Sequence, residues 1–553
     1  MKYLVLALLL FSLGFPATIV VNSQDGRDLV SATYYAINTG DRIIFVPPIY
    51  NEPVIYGKVG WNGDVLLVQS ASAPIMTGMA DTLRNRGNTV EVITSSEPYE
   101  TNRLLAERSG ARKFILVDPV YGYNTVAAVA YAKQNGMYLL FADSGQKDAV
   151  VNFLKGKNPQ DILLYGYMDA EVKDALDANS LAYREINTGD KFDDNMRMLD
   201  LYFQQNPSKK QVILSDGNAF EDTITAGDDP LLMISPVVPP SVYNYLKEKA
   251  SSGRISVGLV VDSEYAQITY NLKESINREL GEEKLHVLVK FGQSVPSAGS
   301  NLFDVDLFPV RGPILGLEIA GAAYNTQTGE LEITYRNTGN AVEYVKSRIV
   351  VYAGGKAATV GDEEPFSIIR GQTLGKGYPV KIEEGAIVAN ITSMFGSSRK
   401  SMENGIAALL DAGRVQFVDR SLLEITSFTK DGDDLFVTYS NAGNSSLYFR
   451  ADAKVNASGR LINMEDDRVY SIAQGEAKMV KFPGALKGST GVVAGAYYGA
   501  REAFMDKRIE QAYVPEPAFA MDTTLILGLL VLLLLIVAVY LAFFRGKGKK
   551  NSP

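Results

Sequence analysis

The chain has 553 residues, of which 46% are hydrophobic and 21% charged, the composition of a folded protein with room for several domains. It has no cysteine and one histidine, which excludes thiol catalysis and thiolate metal sites and leaves no basis for a Ser-His-Asp triad. The formal net charge of −9 argues against nucleic acid as a partner.

Both ends of the chain have the pattern of targeting segments. Residues 1–17 contain Lys2 followed by an apolar run, as in a secretory signal peptide. Residues 525–544 are long and apolar enough for a transmembrane helix, and the basic tail 545–553 places that end in the cytoplasm. With a juxtamembrane linker at 514–524, the sequence predicts a single-pass protein of the cell membrane with its N-terminal ectodomain outside. Cleavage of this anchor by a sorting enzyme stays open as an alternative.

The predicted ectodomain is more acidic than the whole chain. Leaving out Lys2, the four basic residues of the tail and Asp522 leaves 49 basic and 62 acidic residues, a net charge of −13. Such a surface disfavours nucleic acid and anionic lipid as partners. An exported chain without disulfides is also typical of bacteria and archaea, and we expect an archaeal source.

The first half of the predicted ectodomain contains one α/β pattern three times. In its middle copy, apolar runs at 113–117, 137–141 and 161–165 have the length of buried strands, and stretches of helical spacing separate them. The pattern recurs from Ile19 and from Gln211, with matching positions roughly 96 to 98 residues apart. Such runs predict parallel sheets covered by helices on both faces. We therefore expect three Rossmann-like α/β repeats, at 18–96, 97–190 and 191–300.

Three short motifs in these repeats are similar to those of a known family. Pro230-Leu231-Leu232 matches a second-strand element, Tyr99-Glu100-Thr101 matches a Tyr-x-Thr signature, and Lys191-Phe192 is similar to an Arg-Tyr pair. On these motifs, just under half of the chain resembles the cell wall-binding repeat 2 family, whose members carry three repeats. The chain departs from the family pattern at Pro98, in place of an arginine, and keeps only Gly166 of a glycine pair. The resemblance implies non-covalent binding of an envelope polymer, which is anionic in Gram-positive members.

Beyond the third repeat, the sequence changes to alternating apolar and polar residues rich in Val, Ile, Thr and Tyr. The stretch ITYRNTGN, from Ile333, corresponds to VTYSNAGN, from Val437, which indicates two tandem copies. We expect two all-β sandwich domains, at 314–400 and 421–513, similar to the immunoglobulin-like modules of prokaryotic surface proteins. A helix at 401–412 is predicted to link them.

Polar residues cluster just beyond the first strand of each repeat, where open parallel sheets bind ligands. Asp28, Asn124 and Asp222 are expected to occupy equivalent places. These acids and amides are also suited to capping the following helices, and that interpretation stays open. Tyr121 has a ring suited to stacking on a sugar. The predicted ligand-binding residues are Asp25, Asp28, Asp118, Tyr121, Asn124, Asp216, Asn218 and Asp222.

The remaining motifs do not indicate chemistry. We predict no catalytic residues, no metal site and no cofactor, because the sequence has no phosphate loop, nucleophile elbow or paired catalytic acids. Residues 431–434 superficially suggest calcium but are predicted to form a hairpin turn. His286 is predicted to be a partly buried structural residue. Sequons begin at Asn390, Asn444 and Asn456, which are candidate N-glycosylation sites.

Together these features predict a non-enzymatic, membrane-anchored surface protein. The head of three repeats is expected to bind envelope polysaccharide or a surface-layer protein, with the two β-domains as a stalk. Two alternatives stay open. One is a self-assembling surface-layer or adhesion component, and the other is an envelope hydrolase that uses carboxylates at the strand ends.

Overall fold

The computed structural model describes residues 17–514, apart from gaps at 49, 291–293, 297–301, 305–306, 383, 458–459, 467, 487 and 506. It consists of three parallel-sheet α/β repeats followed by β-rich domains. The described residues as far as Gln511 form one compact unit. The domain boundaries given above stay predictions.

Each repeat contains a four-stranded parallel sheet whose first strand lies between the second and the third, with the fourth at the edge. The first strands are short runs rich in Val, Ile and Leu that are buried because helices cover the sheets. The fourth strands are more exposed. The strands are Thr18–Asn22, Arg42–Phe45, Asp64–Ser70 and Thr89–Ser95 in repeat 1; Lys113–Val117, Tyr138–Phe141, Asp161–Tyr165 and Arg184–Ile186 in repeat 2; and Gln211–Ser215, Leu231–Met233, Val257–Val260 and His286–Val289 in repeat 3.

Capping residues set the ends of the helices. Asp25 accepts the N–H of Arg27 at the start of the first helix, and Gly40, in the left-handed conformation, ends that helix. Helices Pro98–Ser109 and Lys191–Gln205 connect successive repeats. The other helices are Gly26–Thr39, Glu52–Val59, Met79–Asn85, Gly122–Ala127, Val129–Asn135, Lys147–Lys157, Ala170–Ala178, Asp222–Ala226, Pro240–Ser251 and Ala266–Leu280, with a 3-10 turn at Ser263–Tyr265.

The three repeats share one hydrophobic core. The hydroxyl of Tyr34 in repeat 1 donates to the carbonyl of Thr125 in repeat 2 at 2.7 Å. Lys133 of repeat 2 donates to the carbonyl of Ala226 in repeat 3, also at 2.7 Å. Phe308, from beyond the repeats, is buried in the same core. Hydrogen bonds between helices thus join repeat 1 to repeat 2 and repeat 2 to repeat 3.

The described residues beyond the head form strands and turns. A bulged hairpin of Leu317–Asn325 and Glu330–Asn337 recurs as Leu423–Asp431 and Asp434–Asn441, with the bulge at the matching place. The other strands are Glu343–Ala353, Lys356–Gly361, Phe366–Ile368, Thr373–Pro379, Ile387–Gly396, Asn404–Asp411, Gly413–Val415, Leu447–Ala457, Arg460–Glu465, Tyr470–Ile472, Ala477–Phe482, Ser489–Gly499 and Lys507–Tyr513, with short strands at Ser294–Pro296, Leu302–Asp304, Phe308–Pro309 and Ala219–Phe220.

The predicted fold class included a C-terminal transmembrane helix, and with it a single-pass membrane localisation and a membrane partner. These predictions are wrong: no helix among the described residues is long and apolar enough to cross a membrane. The longest described helices, Lys191–Gln205 and Ala266–Leu280, have 15 residues each. That length spans about 22 Å, short of a hydrocarbon core of roughly 30 Å. The segments 525–544 and 545–553, and residues 1–16 of the predicted signal peptide, lie outside the described residues.

Two smaller predictions also need correction. The predicted helix at 401–412 is wrong, because Asn404–Asp411 is a strand paired antiparallel with Ile387–Gly396. Its residues alternate in exposure, as the period of a strand requires. His286 lies on a strand as expected, but its side chain is 56% exposed. The hairpin turn at 431–434 is confirmed.

Candidate functional site

The first strands of the repeats end beneath a shared segment, residues 308–311, which we call the strap. Phe308–Pro309 pairs antiparallel with Ala219–Phe220, just after the first strand of repeat 3. The N–H of Val310 donates to the carbonyl of Asn218 at 2.8 Å. The strap is therefore attached to repeat 3 by backbone hydrogen bonds, which satisfy polar groups that burial would otherwise leave unpaired.

The strap also touches the helix starts of the other two repeats. An added Cβ at Gly26 would lie 3.2 Å from the carbonyl oxygen of Pro309, and one at Gly122 would clash with the carbonyl oxygen of Arg311. Glycine is needed at these positions because backbone approaches backbone. The chain itself thus covers strand ends at which we predicted ligands.

Asp28, Asn124 and Asp222, predicted to be equivalent, occupy different places. Asp28 and Asn124 are the third residues of their helices and are buried. Asp222 is the first residue of its helix, is half exposed, and pairs with Lys58 at 3.3 Å. Asp28 accepts a hydrogen bond from Ser23 Oγ at 2.7 Å, and burial raises its pKa. Because their side chains are buried, Asp28 and Asn124 are not accessible to a ligand from solution in this structure.

Asp25 caps a helix, which is the alternative to ligand binding that the sequence left open. Its Oδ1 accepts the backbone N–H of Arg27 at 3.0 Å, and its carboxylate pairs with the Arg27 guanidinium at 2.7 Å. Burial acts to raise the pKa of Asp25, but these bonds to Arg27 lower it overall. Both the carboxylate and the orphan N–H of the helix start are satisfied within the same turn.

Three carboxylates converge at the strand ends of repeat 2. Asp118, Asp143 and Asp169 follow its first, second and third strands, and we call this place the repeat 2 crevice. The guanidinium of Arg370, from the first β-rich domain, bonds to Asp169 and lies 4.0 Å from Asp118. The hydroxyl of Tyr99 donates to Asp143. A cation from the chain itself therefore occupies the position that a ligand would take.

Asp118 is the most deeply buried carboxylate of the repeat 2 crevice that lies near Arg370. Asp118 is 1% exposed and accepts the N–H of Val120 at 2.9 Å. Burial raises the pKa of Asp118 to about 7, helped by the neighbouring carboxylate of Asp169 and opposed by the Val120 N–H and the charge of Arg370. One carboxylate of the cluster is thus half protonated near neutral pH.

The two tyrosines of the same loop are buried against other parts of the chain. The Tyr121 hydroxyl accepts the N–H of Val342, in the first β-rich domain, at 2.9 Å. Tyr123 packs against Gly217. A Cβ added at Gly217 would lie 3.1 Å from the Cβ of Tyr123. Burial raises the pKa of Tyr121 well above its ordinary value. Neither ring has a free face on which a sugar could stack.

Ion pairs connect the β-rich domains to the side of repeat 2 and the following helix. Lys400 pairs with Asp193 at 2.6 Å, Lys481 with Asp177 at 3.6 Å, and Arg468 with Asp174. In each pair the acid belongs to the head and the base to a β-rich domain. The domains therefore lie along the head, and the expected arrangement of a head on a stalk does not describe this structure.

The strand ends of repeat 3 are more open. Asp216 is partly exposed and Asn218 exposed, and the two are joined by hydrogen bonds at 2.8 and 2.6 Å. The hydroxyl of Tyr265 donates to Asp216 at 3.0 Å. Val237, after the second strand, is 82% exposed. We call Asp216, Asn218 and Tyr265 the repeat 3 crevice.

Sequence reasoning found Asp118 but missed its partners. Asp143 and Asp169 follow the second and third strands of repeat 2, so the rule that selected Asp118 would have selected them had it been applied to every strand. Arg370 gave no such signal. It lies about 200 positions away in a turn of another domain, and a local pattern does not report a contact of that range.

The predicted modification sites are accessible, and no metal cluster is found. Asn390, Asn444 and Asn456 are all exposed. Within the described residues, no group of three or more acidic, histidine or cysteine side chains could hold a metal ion.

Comparisons with known proteins identify no family. No family model and no curated protein matches the chain. Cwp8 from Clostridium difficile aligns with 48% of this chain and 48% of its own at 14% identity and a TM-score of 0.39. For Cwp6 from the same species the coverages are 43% and 40%, the identity 14% and the TM-score 0.35. The YadV chaperone aligns with 36% of this chain at 10% identity and a TM-score of 0.13.

The alignments with Cwp6 and Cwp8 are partial for both partners. The chain spans less than half the length of each, and scores at this level do not assign its family or its ligand.

Proposed function

We propose that this protein is a non-enzymatic cell-surface protein that binds a neutral envelope polysaccharide through the repeat 3 crevice. One observation carries the proposal: of the eight predicted ligand residues, only Asp216 and Asn218 are accessible together at a strand end. Asp28, Asp118, Tyr121 and Asn124 are buried, Asp25 caps a helix, and Asp222 pairs with a lysine.

The chemistry of the repeat 3 crevice suits a sugar without charge. The carboxylate of Asp216 and the amide of Asn218 supply acceptors and donors for hydroxyl groups. An anionic polymer would meet Asp216 and a chain of net charge −9, so repulsion disfavours it.

Co-sedimentation of the purified full chain with envelope material from its source tests the proposal. We expect saturable binding by the parent protein. The double variant Asp216→Ala/Asn218→Ala should have an affinity at least about tenfold lower, which corresponds to the loss of one or two hydrogen bonds to the ligand. The matched control is Asp81→Ala, which removes an exposed carboxylate of repeat 1 and should bind as the parent does. Equal binding by the double variant would refute the proposal.

A further inference from the structure

The first β-rich domain has an outward sheet face that is apolar at its centre. Its strands Glu343–Ala353, Ile387–Gly396 and Asn404–Asp411 are neighbours in this order, and alternate residues along them are exposed. The exposed side chains include Leu409 at 68% and Tyr352 at 46%. None of the central residues carries a charge. We give the name outer face to Val350, Tyr352, Val388, Asn390, Thr392 and Leu409.

Asn390 lies in the middle of the outer face. The strand register places it between Val350 on one neighbouring strand and Leu409 on the other. Residues that face each other in this way have Cβ atoms about 4.5 to 5.5 Å apart. Asn390 also begins the sequon Asn390-Ile391-Thr392, and the side chains of Asn390 and Thr392 are both exposed on this face. An acceptor for an N-linked glycan is therefore bordered on both sides by apolar side chains.

The second β-rich domain has charged side chains on the corresponding face. The matching strands there are Leu447–Ala457, Ser489–Gly499 and Lys507–Tyr513. Arg508 pairs with Asp452 at 2.7 Å, and Lys454 pairs with Glu510 at 2.8 Å. Because charged groups interact favourably with water, this face is suited to contact with solvent without further cover. The two domains share a strand arrangement but differ in how this face meets the solvent.

The outer face also reaches the edge of its sheet. Asn404–Asp411 is the last strand of that sheet among the described residues, and it contains no lysine, arginine or proline. Edge strands without such residues are prone to pair with other chains unless something covers them. A bulky hydrophilic group on Asn390, one strand away, would shield Leu409 and hinder such pairing.

We propose that Asn390 carries an N-linked glycan whose first sugars cover the outer face. The donor is an oligosaccharide linked to a lipid phosphate, which the cell supplies together with a transferase. Nδ2 of Asn390 loses one proton and forms a bond to the anomeric carbon of the first sugar. The bond from that carbon to the phosphate oxygen breaks, and the lipid phosphate leaves with the electron pair. The inference rests on the proposed cell-surface role, because such glycans are attached to exported chains.

Glycopeptide mapping by mass spectrometry of the full chain, purified from its source, tests the modification. We expect the mass of a glycan on the peptide that contains Asn390. Two variants made in the same source change only the sequon. Thr392→Ser keeps the sequon and should keep the glycan, whereas Thr392→Val removes the sequon, retains a β-branched side chain on the strand, and should lose the glycan. An unmodified Asn390 in the parent protein overturns the proposal.

Hydroxyl-radical footprinting of the same two variants tests whether the glycan covers the outer face. Oxidation of Leu409 and Tyr352 should be at least about twofold slower in Thr392→Ser than in Thr392→Val, as when a bulky glycan covers half of their exposed surface. Leu422, 46% exposed and outside this face, is the internal control and should react alike in both. Equal rates at Leu409 overturn the proposal, as does a dimer in which a second copy covers this face.

Co-sedimentation with envelope material separates this inference from the proposed function. Both variants should bind as the parent does, because the repeat 3 crevice is unchanged in them. A parent chain that binds envelope material but is unmodified at Asn390 would overturn the glycan proposal and leave the proposed function intact. A modified chain that does not bind would overturn the proposed function alone.

Discussion

Asp118→Asn should change how the stability of the protein depends on pH. The pKa of Asp118 is about 7 in the folded protein and near 3.9 in an unfolded chain. A carboxyl whose folded pKa is raised contributes its full stability below the unfolded pKa and loses it as pH rises through the folded pKa. The window of loss is therefore about pH 4 to 7.

The size of the effect follows from the same values. The difference between a pKa of about 7 in the folded protein and one near 3.9 in the unfolded chain corresponds to about 4 kcal/mol at most, of which 2 to 3 kcal/mol should be lost between pH 5 and pH 8. Asparagine has nearly the shape of a protonated aspartic acid and can still accept the N–H of Val120. Asp118→Asn should therefore remove this part of the loss and be more stable than the parent at pH 8.

Urea unfolding of the full chain at pH 5, 6, 7 and 8 measures the difference between the two proteins. Taking the difference is necessary because burial also raises the pKa of Asp28 and of Asp190. The reasoning predicts stability curves that separate by 2 to 3 kcal/mol across the series. If the free energies of unfolding of the two proteins changed in parallel with pH, the reasoning would be refuted, because Asp118 would then bind its proton equally well in the folded and unfolded states.

Three further substitutions test how the chain covers its own strand ends. Arg370→Met should destabilise the protein by about 3 kcal/mol in denaturant unfolding, because it leaves buried carboxylates unpaired; Arg336→Met, in an exposed pair, should cost less than about 1 kcal/mol. Gly122→Ala should cost about 1 to 3 kcal/mol, because its Cβ would clash with the strap; Gly57→Ala, with nothing within 4 Å, should instead stabilise its helix by about 0.5 to 1 kcal/mol. Tyr121→Phe should lower the free energy of unfolding by about 1 to 3 kcal/mol, because a buried N–H loses its acceptor. Equal effects of a variant and its control, or a neutral Tyr121→Phe, would contradict these assignments.

The α/β repeats could be predicted from the sequence because the features that define their strands and helices are local in the chain. A run such as Lys113–Val117 needs burial on both faces wherever it lies, and Gly136 ends its helix through its own conformation. The segment at 404–411 was misread because its apolar residues, NGIAALLD, fit a helix as well as an edge strand. Pairing with Ile387–Gly396 decides between them.

The candidate site was less predictable, because its occupants come from distant parts of the chain. The sequence placed Asp118 and Asn124 at strand ends, and the structure has them there. It did not indicate that Arg370 enters the repeat 2 crevice or that residues 308–311 cross the strand ends. Because these contacts bury them, residues that we predicted to bind a ligand instead contact other parts of the protein.

Calorimetric titration of the full chain with purified envelope glycans tests the central claim most directly. The account predicts saturable binding of a neutral polysaccharide, lost in Asp216→Ala/Asn218→Ala, and no binding of an anionic polymer. Binding of the anionic polymer, or binding of the neutral one that the double variant retains, would contradict it.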